Sequence, residues 1–91
     1  MTRGPQESIE EYRRKLTFRS WHRGTREMDL LLGSFADRNL GAFDADMLEQ
    51  FEKLLECPDP DLYEWVSGMS KPPEDEESPV MTLLLQHQFA I

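Results

Sequence analysis

The run Met28-Asp29-Leu30-Leu31-Leu32-Gly33-Ser34-Phe35 decides the fold. Met28, Leu31, Leu32 and Phe35 recur at spacings of three and four, which lines one face of an α-helix, and nothing here alternates as a half-buried strand would. The stripe predicts a helix from just after Gly24 to about Arg38. Glu27 and Asp29 fall in its first turn, where negative charge complements the unpaired backbone N–H groups. Asn39-Leu40-Gly41 supplies the stop.

The same periodicity extends in both directions. Upstream, a helix from about Ser8 to Phe18 places Ile9, Tyr12, Leu16 and Arg13 on one side and Glu10, Glu11, Arg14 and Lys15 on the other, with Ser8 or Pro5 marking its start. Downstream, Asp44 is a suitable N-cap for a third helix whose Met47, Leu48, Phe51, Leu54 and Leu55 form a broad apolar face through Glu56. Cys57-Pro58 ends it. Asp59-Pro60-Asp61 then reads as N-cap, proline at the first helical position and acidic first turn, opening a short fourth helix with Leu62, Trp65, Val66 and Met69. Residues 70–79 hold Lys71, Pro72, Pro73 and the run Glu74-Asp75-Glu76-Glu77, a stiff, solvated linker. Ser78-Pro79 repeats the cap-and-proline signal before a last helix with Val80, Met81, Leu84, Leu85 and Phe89, free to dock at home, on a second copy or on a partner. The expectation is a single all-α domain over residues 1–91, a small bundle of about five short helices.

With 91 residues, the chain has room for one core and none for a deep chamber around a large cofactor. Its net charge of −8 opposes nucleic-acid phosphates and anionic membranes. Eight of the ten basic side chains stand in residues 1–40 with six acids, whereas residues 41–91 hold two basic side chains and twelve acids, so the molecule has two electrostatic ends. Cys57 is the only cysteine, which excludes an internal disulfide and fits a reducing compartment. The longest apolar run, Leu83-Leu84-Leu85, is far too short to span a bilayer, and the acid-bearing N-terminus resembles neither a signal nor a transit peptide. A cytoplasmic bacterial protein is expected, or one of the mitochondrial matrix whose targeting segment is absent.

One stretch combines a special backbone residue with clustered charge: Trp21-His22-Arg23-Gly24-Thr25-Arg26-Glu27-Met28-Asp29, at a helix-to-helix corner. Gly24 can take a positive φ or let another backbone approach, and Arg23 offers a planar fork of donors suited to carboxylate or phosphate. Glu27 can cap backward or point outward. A routine reading also covers every feature: Gly24 as a turn, Glu27 and Asp29 as dipole complements, Trp21 as core.

The pattern Arg-Gly-x-x-Glu-x-Asp, filled by Arg23, Gly24, Glu27 and Asp29, resembles the signature of the succinate dehydrogenase flavinylation factors. The apolar helix after it, Phe51-Glu52-Lys53-Leu54-Leu55 and the Pro-Asp motif within Glu56-Cys57-Pro58-Asp59-Pro60-Asp61-Leu62 agree with that family in order, over roughly residues 8–69. His22 departs from it, standing where many members carry a second arginine.

The resemblance implies a five-helix, chaperone-like binder, not an enzyme, and the free chain is expected to be monomeric with no cofactor of its own. It would bind the FAD-carrying flavoprotein subunit of succinate dehydrogenase, with fumarate reductase as a further candidate client, before the other subunits join. It would favour covalent attachment of the client's flavin to a client histidine by positioning alone. Gly24 would allow close approach, Arg23 and Arg26 would pair with client carboxylates, and Glu27 would accept from a client donor. Trp21 and His22 flank this contact, and Asp29 either joins it or braces the loop from within. A separate reading is an acidic helical adaptor working through residues 44–77.

Other chemistries lack support. His22 and His87 have no cluster at metal-ligand spacing, no Gly-x-Gly-x-x-Gly follows a strand, and acidic neighbours should raise the Cys57 thiol's pKa instead of activating it.

Overall fold

Each predicted helix is present, and most begin where a side-chain cap closes the first turn. The computed structural model describes residues 7–87. It contains α1 (Ile9–Ser20), α2 (Arg26–Asn39), α3 (Ala45–Leu55), α4 (Asp59–Val66) and α5 (Pro79–Gln86), with short 3₁₀ turns at Leu40–Ala42 and Glu74–Glu76. No strand occurs among the described residues.

Ser8 starts α1 with a reciprocal capping box: its hydroxyl accepts from the Glu11 amide and the Glu11 carboxylate accepts from the Ser8 amide, both at 3.1 Å. Asp44 and Ser78 accept from the Met47 and Met81 amides at 2.9 and 3.0 Å. The fourth start differs from expectation. Asp59 is itself the first residue of α4, Pro58 occupies the cap position without a side-chain bond, and the Asp59 carboxylate is engaged by Arg23. The guanidinium offers a full positive charge and two N–H donors to one carboxylate oxygen, which the amides of a helix start do not match, so the distant partner wins the carboxylate.

The stripe on α2 meets those on α1 and α3 in one apolar core that also takes in α4 and α5. Phe35 stacks on Phe51 with ring centroids 5.5 Å apart and meets Phe43 edge-on at 6.2 Å. Truncating either fully buried phenylalanine of the stack to alanine should cost about 3–5 kcal/mol. Among the described residues one charged side chain is buried: Glu52 accepts from the Tyr12 hydroxyl at 2.7 Å and lies 3.4 Å from Arg19, tying α1 to α3. Arg13, expected on the core side of α1, instead ties down the turn after α2 by donating to the Leu40 and Phe43 carbonyls, each at 2.9 Å.

Two expected core residues lie outside. The turn at Gly68 (φ +85°) sends the Gly68 and Met69 amides back to the Trp65 and Glu64 carbonyls, which ends α4 at Val66 and leaves Met69 73% exposed. In α5, Val80, Met81 and Leu84 are buried while Leu85 faces outward, and Leu83 packs at the core's edge in its place. Phe89 lies outside the described residues.

Of the three docking options for the last helix, α5 packs at home. Its buried residues join the core, and His87 Nε2 sits 2.8 Å from the Ser34 hydroxyl with its ring edge-on to Phe35. The linker before α5 is tied down as well. Lys53 Nζ donates to the Asp75 carbonyl at 3.0 Å, and the Cys57 thiol lies 3.5 Å from a Glu76 oxygen.

Candidate partner-docking site

The corner between α1 and α2 is built from both sides. Thr25 caps α2, its hydroxyl accepting from the Met28 amide at 3.3 Å, and Gly24 before it has φ +116°, a backbone region that L side chains rarely adopt. A β-carbon built on Gly24 meets no atom within 4 Å, so glycine is needed here for its φ and not for internal space. From one turn into α2, Asp29 reaches back and accepts from the Arg23 amide at 2.6 Å and the Gly24 amide at 3.3 Å. Asp29 therefore braces the loop from within. With Thr25 as cap, Glu27 is the second residue of α2 and does not cap backward.

Arg23, expected to pair with a client carboxylate, has its side chain turned inward in the chain on its own. Its guanidinium donates through Nε and Nη2 to Asp59 Oδ1 at 2.9 and 2.6 Å, through Nη1 to the Leu55 carbonyl at 2.7 Å, and through Nη2 to the Cys57 carbonyl at 3.0 Å. Its side chain is 13% exposed, folded under the loop against the end of α3, because that helix end and Asp59 offer a concave set of acceptors matching its fork.

Arg26 and Glu27 are the opposite case. Both are exposed, adjacent in the first turn of α2, and without a polar partner among the described residues. Trp21 is half-buried: its indole lies over Gly33, where a β-carbon would overlap the ring, and its Nε1 donates to Asp37 at 3.3 Å. His22 is exposed, its ring stacked on Phe18 at 3.9 Å and its Nδ1 2.6 Å from the Phe18 carbonyl. An open groove of about 720 Å³ runs past Trp21, His22, Gly24, Arg26 and Leu30.

The structure thus brings all seven expected residues to one corner but divides them. Arg23 and Asp29 are internal, Arg26 and Glu27 face out, Gly24 shapes the turn, and Trp21 and His22 form its shoulder. Three contributors were not among the expected residues. Asp59 is the partner of Arg23, Gly33 is the seat of Trp21, and Phe18, 64% exposed, continues the surface along α1. Phe18 could have been found, because it stands two residues beyond Leu16 and off the buried stripe.

Little else suggests chemistry of the chain's own. Burial, then the charge of Glu76, pushes the Cys57 thiol up to about 11, and burial lowers the His87 pKa. No group of His, Cys, Asp and Glu that could hold a metal occurs among the described residues, and no helix there is long and apolar enough to cross a membrane.

Fold and corner together define a small all-helical protein with an outward-facing charged turn between its first two helices. Comparison with known proteins then gives the family. Residues 14–88 match the Sdh5 family, described as flavinator of succinate dehydrogenase, and the chain belongs to it. It is 36% identical over 81 residues to an FAD assembly factor SdhE of Acetobacter pasteurianus, covering 89% of this chain and 74% of that protein. It is 40% identical over 79 residues to a mitochondrial succinate dehydrogenase assembly factor 2 of Dictyostelium discoideum, covering 87% of this chain and 56% of the relative. A Debaryomyces hansenii protein of the same name is 44% identical over 61 residues, 67% of this chain and 43% of its own. The chain thus spans roughly half the length of these mitochondrial relatives.

Proposed function

We propose that this chain is an assembly factor that binds the flavoprotein subunit of succinate dehydrogenase and promotes covalent attachment of FAD to it. The observation that carries this reading is the pairing of two unspent charges, Arg26 and Glu27, on a corner whose backbone Asp29 and Arg23 hold fixed, in a chain of the flavinator family. A preorganised polar patch loses little conformational freedom on binding, which suits a transient, specific contact. The groove beside it is open, and the His22, Thr25 and Asp29 side chains that line it are each engaged internally, with the Phe18 carbonyl, the Met28 amide and the Arg23 amide, which favours positioning of client domains over catalysis by this chain. The new bond would belong to the flavin and the client.

On this reading the free protein is a monomer with no cofactor of its own, and it works where its client is made, in the bacterial cytoplasm or the mitochondrial matrix. The flavoprotein subunit of fumarate reductase is a second candidate client, since the same corner would serve any subunit presenting a complementary carboxylate and donor. Co-expression with the succinate dehydrogenase flavoprotein subunit, followed by a denaturing gel viewed for flavin fluorescence, tests the proposal. A clear gain in covalent flavin over the subunit expressed alone is expected. Equal fluorescence in the two lanes would refute it.

A further inference from the structure

We infer that Arg23 is a positioning residue and not a client contact, and that Asp59 is its working partner: the pair holds the corner in the shape that presents Arg26 and Glu27, and so sets how fast the client docks. This inference rests on the corner being the docking site.

Its support is an inventory of donors. A guanidinium has three nitrogens, and in Arg23 each donates within the chain, to Asp59, to the Leu55 carbonyl or to the Cys57 carbonyl. Four of the five N–H donors are spent in this way and one Nη1 hydrogen is left, so a client carboxylate could take the fork in bidentate fashion only by displacing Asp59 or stranding a carbonyl. Such an exchange replaces one carboxylate with another or leaves an acceptor unpaired, so it offers no net attraction. Arg26 can meet a client carboxylate without that loss, being exposed and unpartnered among the described residues.

The same inventory shows what Arg23 does accomplish. Its backbone amide is gripped by Asp29 from α2, while its side chain is gripped by the turn between α3 and α4. One residue therefore fixes the start of α2 against the end of α3, and Gly24, with its positive φ, follows directly from that fixed point. Without the grip the loop would sample several shapes, of which only a fraction f would present Arg26 and Glu27 together. Apparent affinity then falls in proportion to f, and the loss appears in the association rate, because the complex once formed has the same contacts.

A double-mutant cycle read by binding kinetics separates this role from direct contact. The full chain, Arg23→Ala, Asp59→Ala and the double variant are measured against immobilised flavoprotein subunit, below the melting temperature that circular dichroism gives for each. Each single variant should associate about tenfold more slowly with a dissociation rate within about twofold of the parent, and the double variant should be no slower than the singles. If an alanine variant melts below the assay temperature, Arg23→Lys and Asp59→Asn form the cycle instead and are read in the same way. The inference is overturned if Asp59→Ala binds like the parent, if the two losses multiply towards about a hundredfold, or if the loss falls in the dissociation rate. Glu27→Ala serves as the reference. Weakened binding there beside an unaffected Asp59→Ala overturns only the role of the pair, whereas parental binding by all the variants removes the docking site itself.

Discussion

Two charged connections, the corner at residues 21–29 and the acidic strap at residues 70–78, differ in how their charges are used. In the corner, Asp29 and Arg23 turn inward to backbone and side-chain partners, and this leaves Arg26 and Glu27 facing out in a fixed geometry. In the strap, Glu74, Asp75 and Glu77 are exposed and of one sign, and the attachments run through a backbone carbonyl of Asp75 and the Glu76 carboxylate. The strap carries more charge per residue, yet nothing among its contacts fixes those three carboxylates in a shape a partner could read. Preorganisation, not charge density, distinguishes a recognition surface from a solvated one.

The strongest way to break this contrast is Gly24→Arg. A non-glycine residue at φ +116° is strained by roughly 1–3 kcal/mol, and the new side chain would enter the open space where a client must approach. Covalent flavin on a co-expressed client should fall to the level seen without the factor, read by in-gel fluorescence. A Gly24→Arg chain that still supported flavinylation would show that the client does not approach this face closely.

A second test addresses whether the strap is closed on α3. The Cys57 thiol is pushed from 9.0 to about 11, first by burial and then by the Glu76 charge. At pH 8 its thiolate population should be on the order of a hundredfold below that of an unperturbed cysteine, and iodoacetamide labelling of the native protein should be slowed to match. The sign for stability follows from linkage. Because the folded pKa is raised, the contribution is fully present below the unfolded value near pH 9 and is lost as pH rises towards 11, where the unfolded chain has already released its proton. Labelling at the rate of a free thiol would mean that the strap stands open.

Third in size is Glu27→Ala. Removing the outward carboxylate should weaken client binding about thirtyfold, or about 2 kcal/mol, as truncating one member of an interfacial charge pair does. An exposed side chain with no internal partner contributes within about 0.5 kcal/mol to stability, so the melting temperature should move by no more than about 4 °C. A large loss of stability would place Glu27 with Asp29, inside the fold.

Much of this architecture was readable from sequence because it is local. The α2 stripe, the caps Ser8, Asp44 and Ser78, and the brace from Asp29 each depend on residues within a few positions of one another. The misreading at Asp59 has the opposite cause. Asp59 has every local mark of an N-cap, but its partner is 36 residues away in the chain. The fork of Arg23 looked available for the same reason. Met69 continues the α4 stripe on paper, but the left-handed turn at Gly68 intervenes. In Leu83-Leu84-Leu85, periodicity alone could not say which leucines would be buried beside Val80 and Met81. Trp21 over Gly33 needed the crossing of α1 and α2, which no single segment encodes.

The smallest expected effect is also the one that most sharpens the contrast. Reversing the strap with Glu74→Lys, Asp75→Lys and Glu77→Lys together changes the local charge by six units while leaving Glu76 on Cys57 and the Asp75 carbonyl on Lys53 in place. If the acidic half of the molecule were the working surface of an adaptor, this change would abolish partner binding. If the strap only solvates the approach to α5, affinity should move by less than about threefold at physiological salt, because exposed charges that make no direct contact with a partner are weakened by solvent and salt screening. Measuring the same variant at low salt separates the two cases further. A residual long-range effect on association rate would grow as screening weakens and leave the dissociation rate unchanged, whereas loss of a direct contact would appear in dissociation at every ionic strength.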